Sequence, residues 1–493
     1  MCKHLGAKPA KEGGIKKAWN SISDIFLLLT LQRMIASFFD FIFTSPRRRF
    51  HWGVVVLAFA IRLALMLLLG DPAKPEMYEM GAIASNMLHG HGYGMHWLTY
   101  VPIEPVRKAM VEAHLPPPYE GAWQPPLQTY IVYYAFQLFG ETPTAASMLM
   151  LLNVLWSTLI PLVVYRCTLL LGASMDAIEK PARLSALFAT FFLPAAYAVV
   201  TYSGSSLYQL VFLLFFWMLL LALRHQNMKY LLAAGIFAGI QMLLRSEFLV
   251  LGMGMLLLTG LVAAWQLKNW RFLMSSVVGC VLALLVIMPW MVRNYTVFGK
   301  VVPIVSRPWF EIWRGNNPDA TGAAWKKDGS WYCSVLTDSS NINLTREFDA
   351  IPYTNDFELR ANEIMKREAL AFMREHPEQA LLLAGQKIVF LWIHDLYNPQ
   401  SQKLPYIASM LFFSILIWCG AWTLWNVHGK QMKDGAILLY GAYILFYTGI
   451  FALTFILPRY RVYVFSGLLP LTGLGAFRLW QLFHYRFHRK QKT

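Results

Sequence analysis

The chain has 493 residues, of which 57% are hydrophobic and only 14% charged, and its mean hydropathy is +0.44. Soluble proteins carry roughly 25% charged residues, so the balance excludes a water-soluble globular enzyme and indicates an integral membrane protein. The net charge of +16 does not argue for nucleic acid, because the cations sit in short loops and tails between apolar runs, where they suit orientation and anionic head groups.

Met1 is followed by Cys2, Lys3 and His4 with no apolar run before them, so no cleaved signal is expected. The five cysteines are scattered and form no CxxC, which indicates neither a zinc site nor a disulfide framework. Residues 22–43 contain Asp24, Arg33 and Asp40, costly at a bilayer centre, so this segment is read as a helix on the cytoplasmic surface with basic flanks. Ten apolar runs follow, at about 53–70, 144–171, 184–203, 205–223, 230–247, 248–266, 271–292, 405–425, 435–457 and 462–482. A crossing needs about 20 residues. With the N-terminus inside, ten spans place Lys180 with Arg183, Arg224 with Lys229, Lys268 with Arg271, Lys430 with Lys433, and the tail 486–492 on one side, as the positive-inside rule requires. Two shorter apolar stretches, 126–139 and 379–393, would invert that pattern if they crossed and are therefore read as surface helices. The expected organisation is a cytoplasmic segment 1–50, one all-helical membrane domain 51–482 and a basic tail 483–493. Two outer regions, 71–143 and 293–404, belong to the membrane domain, and the second forms a mostly helical cap with an amphipathic helix at 361–375.

In the first outer region, Met77, Met80, Ala84, Met87 and Leu88 recur at helical spacing, so 76–89 is expected to be a surface helix, started by Pro75 and ended by Gly90, Gly92 and Gly94. Glu76 and Glu79 fall in its first turn. There they either complement the positive helix end or act as a general base; Asp71, Glu104, Glu112 and Glu120 lie in the same region. His89, His91, His96 and His114 match no zinc spacing. Arg245, Arg293, Arg459 and Arg461 are expected at outer ends of spans, against the prevailing bias, which makes them candidates for holding an anion. Arg107 and Lys108 are weaker ones. Trp97, Trp123, Trp309, Trp313 and Trp331 suit interface anchoring better than sugar stacking. At the seventh span, Pro289-Trp290 is read as the end of the apolar run, followed by Arg293-Asn294, an extended turn-rich segment and the Gly315-Asn316-Asn317-Pro318 turn.

These segments, taken with Gly90-His91-Gly92-Tyr93, Gln124-Pro125-Pro126-Leu127 and Pro458-Arg459-Tyr460-Arg461, resemble the multi-span GT-C glycosyltransferases. The resemblance is to bacterial relatives of family 39, which includes protein O-mannosyltransferases and lipid A aminoarabinose transferases. It implies a GT-C-like fold and inverting transfer of a sugar from a polyprenyl-phosphate donor to a glycan, lipid or protein acceptor at the outer face of a bacterial inner membrane. Glu76 falls where the family carries its acid, generally an Asp, with Glu79 and Asp71 as fallbacks. Arg293, Asn294, Arg245, Arg459, Arg461, Tyr93, Gln124, Asn316 and Asn317 fall on segments that would line the substrate site. No metal ligands are assigned, although some members of the class use a divalent cation such as Mg or Mn. The turn at 203–206 lacks the acidic residue that relatives often carry there. No G-x-G-x-x-G or P-loop opens a helix after a strand. Two rival expectations are a transporter of lipid-linked sugars, against which stand spans nearly free of central charge apart from Arg62, and a non-catalytic assembly subunit.

Overall fold

The computed structural model describes residues 46–73, 79–95, 119–172, 175, 177–201, 203–325, 347–348, 350–399, 401–428 and 435–490. Met1–Gly53 and Val54–Thr493 form separate compact units. The expected surface helix at 22–43 lies outside the described residues. The helices are α1 (Arg47–Leu69), α2 (Glu79–Leu88), α3 (Pro126–Phe139), α4 (Pro143–Leu171), α5 (Glu179–Phe191), α6 (Leu193–Ala196), α7 (Ser205–His225), α8 (Lys229–Met242), α9 (Phe248–Leu267) and α10 (Arg271–Phe298). They continue with α11 (Pro308–Arg314), α12 (Phe357–Glu375), α13 (Pro377–Trp392), α14 (Leu404–His428), α15 (Gly435–Leu453) and α16 (Pro458–Lys490). Among the described residues there is no sheet, only an isolated parallel bridge between Ala323 and Ile456. The chain is a multi-pass membrane protein, and the helical form follows from a bilayer that leaves backbone polar groups no partners but their own.

Eight helices among the described residues are long and apolar enough to cross: α1, α4, α7, α9, α10, α14, α15 and α16. Of the other two expected spans, one qualifies only as a bent pair of helices, which would make nine, and the other is too short to qualify. The run at 184–203 is broken. It forms α5, then α6 and a 3-10 turn at Tyr197–Val200, bent by 53°. Pro194 explains the break, because it lacks the N–H that Thr190 O would accept. Arg62, fully buried, supplies the replacement: its Nη1 donates to Thr190 O at 3.1 Å, its Nη2 to Ala189 O at 3.3 Å and its Nε to Ser157 Oγ at 2.7 Å. The one mid-span charge in the sequence thus caps a broken helix. The run at 230–247 holds only the 14-residue α8. It is held tightly to α10, since a methyl group on Gly235 would stand 2.2 Å from Gly279 O.

The core is aromatic and centres on α7, where Phe212, Phe215 and Phe216 meet Phe248, Tyr440 and Tyr443. α16 is the most enclosed span, with 78% of its apolar window buried against 28% for α10, so α16 is central and α10 peripheral. The two short apolar stretches are helices, as expected, at α3 and α13, and the cap carries α12. One expectation at the junction is corrected. α10 does not stop at Pro289-Trp290 but runs on to Phe298, so Arg293 and Asn294 are helical and the irregular segment begins at Gly299. Likewise Pro458-Arg459-Tyr460-Arg461 is the first turn of α16 and does not precede it, with Pro458 at a first-turn position that needs no N–H donor.

Candidate functional site

Alternation of the helices brings the 70–73, 140–142, 201–204, 243–247, 299–307 and 454–457 connections to one end of the bundle. At that end the sequence-derived candidates separate into two groups.

The first group builds the scaffold. Arg293 donates to Tyr93 O at 3.3 Å, to Asn294 Oδ1 at 3.2 Å, to Glu120 Oε2 at 3.4 Å and to Gly121 O, and its guanidinium lies over the rings of Trp290 and Tyr93. It staples the first outer region to the end of α10. Asn294, fully buried, donates to Val302 O at 2.9 Å, turning the chain after α10. The Tyr93 hydroxyl donates to Gln124 O at 2.9 Å and packs near Thr129, while Gln124 itself is half-buried. Asn316 donates from Nδ2 to Ile312 O and Leu453 O, and Asn317 from Nδ2 to Trp313 O. Arg461 is fully buried, donating to Ile393 O at 2.7 Å near Asp395 and Tyr406. Asn294, Tyr93, Asn316, Asn317 and Arg461 are buried and bonded to the chain itself, Arg461 through Nη2. Arg293, which is partly exposed, is tied up in the same way.

The second group gathers around Arg245. Arg245 follows α8 and donates from Nε to Glu247 Oε1 at 2.7 Å. Its guanidinium stands 4.9 Å from the ring centroids of both Tyr460 and Tyr463 and 6.0 Å from that of Tyr208. Each such contact contributes about 0.5–2 kcal/mol. No described residue takes a hydrogen bond from either Arg245 Nη, so the planar fork is oriented by Glu247 and the tyrosines and left open. Arg459, on the first turn of α16, is exposed. Its charge lies within electrostatic range of Arg245 and of Glu79. Glu311 and Glu247 act on Tyr460 in the same way. Two guanidinium groups within electrostatic range of one another, with carboxylates beside them, suit an anion held by several charge-assisted bonds.

Glu76, the expected base, lies outside the described residues, as do Glu104, Glu112, Arg107, Lys108, His96, His114, Trp97 and Trp331. Asp71 accepts from Ala73 N at 3.1 Å, a local turn bond. Sequence reasoning missed Glu311, Tyr208 and Tyr463, while a pairing of Arg245 with Glu247 was legible from their spacing. The signal was Arg245-Ser246-Glu247, a charged triplet set between two apolar runs. At the acid-free turn, hydroxyls form a chain: Thr201 donates to Ala198 O at 3.2 Å, and Thr201, Ser203, Ser205 and Tyr463 follow one another at 2.8–2.9 Å.

The family model described as dolichyl-phosphate-mannose-protein mannosyltransferase matches residues 123–292. No curated protein matches the chain. Among solved structures, the oligosaccharyltransferase AglB from Archaeoglobus fulgidus in complex with an inhibitory peptide and a dolichol-phosphate is 14% identical. It covers 90% of this chain and 52% of its own, at a TM-score of 0.51. The same oligosaccharyltransferase tethered to an acceptor peptide gives 13% identity, 89% and 51% coverage, and 0.51. The chain has the GT-C fold. It spans about half the length of the oligosaccharyltransferase it matches. ArnT from Cupriavidus metallidurans bound to undecaprenyl phosphate is a looser likeness, at 14% identity, 86% and 77% coverage and a TM-score of 0.38.

In this GT-C fold α12 is latched to the 119–123 segment by Glu358. Its Oε2 accepts from Ala122 N at 2.8 Å and from the Ser306 hydroxyl. Burial pushes the Glu358 carboxyl above the usual range, opposed by those two bonds and by Arg307 and Arg293 nearby. Among the described residues no three His, Cys, Asp or Glu side chains stand together as a metal site. A donor set for Mg or Mn is therefore not assembled from them.

Proposed function

We propose that this protein is a glycosyltransferase that moves a sugar from a polyprenyl-phosphate donor to a glycan, lipid or protein acceptor, at the outer face of a bacterial inner membrane. The observation that carries the reading is the open Arg245 fork held against Tyr460, with Arg459 in electrostatic range of both Arg245 and Glu79. The donor's phosphate would lie against the two guanidinium groups, its prenyl chain in the bilayer. An acceptor hydroxyl attacks the anomeric carbon, the bond from that carbon to the phosphate oxygen breaks, and the configuration inverts. The hydroxyl proton passes to a carboxylate, Glu76 by resemblance and Glu79 by placement. The leaving phosphate gains charge as it departs, and preorganised cations favour that state over the ground state.

The test is to incubate purified protein with a panel of polyprenyl-phosphate sugars and an acceptor extract, and to follow release of prenyl phosphate. Wild type should release it from at least one donor. Arg245→Ala and Arg459→Ala should each slow release by about 100-fold or more, the usual scale for removing one charge-stabilising group, and Glu76→Gln should abolish it. Release from no donor, or undiminished release by both arginine variants, would overturn the reading.

A further inference from the structure

Lys387 lies in the cap helix α13 and is fully buried. Its Nζ donates to Asn316 Oδ1 at 2.9 Å and to Ala452 O at 3.2 Å, both neutral acceptors. These are the turn after α11 and the last residues of α15. The same two stretches are stitched elsewhere. Asn316 Nδ2 donates to Leu453 O at 2.6 Å, Ile456 N donates to Gly322 O at 3.0 Å and Ala324 N to Ile456 O at 3.2 Å. Two glycines leave room for this seam. A methyl group on Gly315 would stand 1.9 Å from Thr454 O and 3.2 Å from Lys387 Nζ. Gly322 has φ +80° and lies against the Lys387 stem. From the stitched stretch the chain passes directly, through Leu457 and Pro458, to Arg459.

We propose that Lys387 is a positioning residue for the anion site: it pins the 452–457 backbone that leads directly into Arg459 and Tyr460, the neighbours of Arg245. This rests on the functional reading above. The two acceptors match two N–H donors of a neutral amine. Burial brings the Lys387 amine down to about 7, and no charged group on the 315–324 turn, the 452–457 stretch, α15 or α13 offsets that burial. Below that pH the amine becomes an enclosed cation with a surplus proton and no counter-ion. The seam is therefore firm above neutrality and loosens below it.

The experiment uses the full chain in detergent, with a polyprenyl phosphate (no sugar) as probe, and measures its affinity for wild type, Lys387→Met and Lys387→Arg from pH 6 to 8.5. The phosphate's own titration is common to all three, so the ratio between proteins is the readout. At pH 8 both variants should bind at least 10-fold more weakly than wild type, and that gap should shrink about fivefold by pH 6 as the wild-type seam loosens. Independently of ligand, the wild-type thermal midpoint should rise with pH between 7 and 10.5, where the unfolded lysine holds a proton and the folded one does not. The midpoint of Lys387→Met should lack that rise. A pH-independent ratio, or wild-type affinity in both variants, would overturn the proposal. A wild type that binds prenyl phosphate with the expected Lys387 dependence but turns over no donor would sink the transferase reading alone.

Discussion

Three arginines carry the contrast between scaffold and site. Arg293, Arg461 and Arg245 all fall near ends of apolar runs, and in sequence nothing ranks them. What separates them is the partner each meets from far along the chain. Arg293 meets the carbonyls of Tyr93 and Gly121, Arg461 meets Ile393 O, and Arg245 meets the rings of Tyr460 and Tyr463. Arg245→Lys keeps the charge but loses the planar stacking and the fork, so prenyl-phosphate affinity should fall by about 10-fold, roughly 1.4 kcal/mol. Arg293→Lys should lower the thermal midpoint and leave affinity within about twofold, both read on one purified sample of each. An equal affinity loss in the two variants would contradict the division. Residue type and approximate place were legible for these side chains. Their orientation was not, because it depends on pairings 68 to 200 or more residues apart.

At the level of helices, hydropathy alone located the spans well, since in a bilayer an apolar run long enough to cross has few other folds open to it. The failures sit at prolines. Pro289 was read as an end, yet α10 continues because the helix beyond it still buries Trp290, Asn294 and Phe298. Pro194 was passed over, yet it breaks its span, because there a guanidinium from another helix satisfies the freed carbonyls. Arg62 and Pro194 should therefore be coupled. Arg62→Met should cost about 2 kcal/mol, from carbonyls left without donors in a medium that offers none. In a Pro194→Ala background, where the helix can supply its own N–H, the loss should be clearly smaller. Additive losses in a double-mutant cycle, followed by thermal unfolding in detergent, would show the two to be independent.

For the molecule as a whole, cap and membrane domain are joined at a buried carboxylate that the sequence did not single out, since Glu358 reads as one of several acids on an amphipathic helix. Its folded-state pKa is raised, so the folded form holds a proton that the unfolded chain gives up above about 4.3. Stability should accordingly fall as pH rises from that value through the folded pKa. Glu358→Gln keeps an acceptor for Ala122 N–H and the Ser306 hydroxyl without burying a charge. It should flatten that fall and raise the thermal midpoint at pH 7; a lower midpoint with an unchanged slope would contradict the account. One further consequence concerns the serine-rich turn. Each hydroxyl there owns a single hydrogen. Thr201 spends its hydrogen on Ala198 O, so Ser203 must give to Thr201, Ser205 to Ser203 and Tyr463 to Ser205. The Tyr463 oxygen is left with lone pairs alone, and the Arg245 guanidinium, 4.9 Å from the centroid of that ring, has only N–H groups to give. Whatever bonds to Tyr463 must bring its own proton, as an alcohol does, while its neighbour accepts an oxyanion. A molecule bearing both groups satisfies the pair, and a bare phosphate satisfies only half of it.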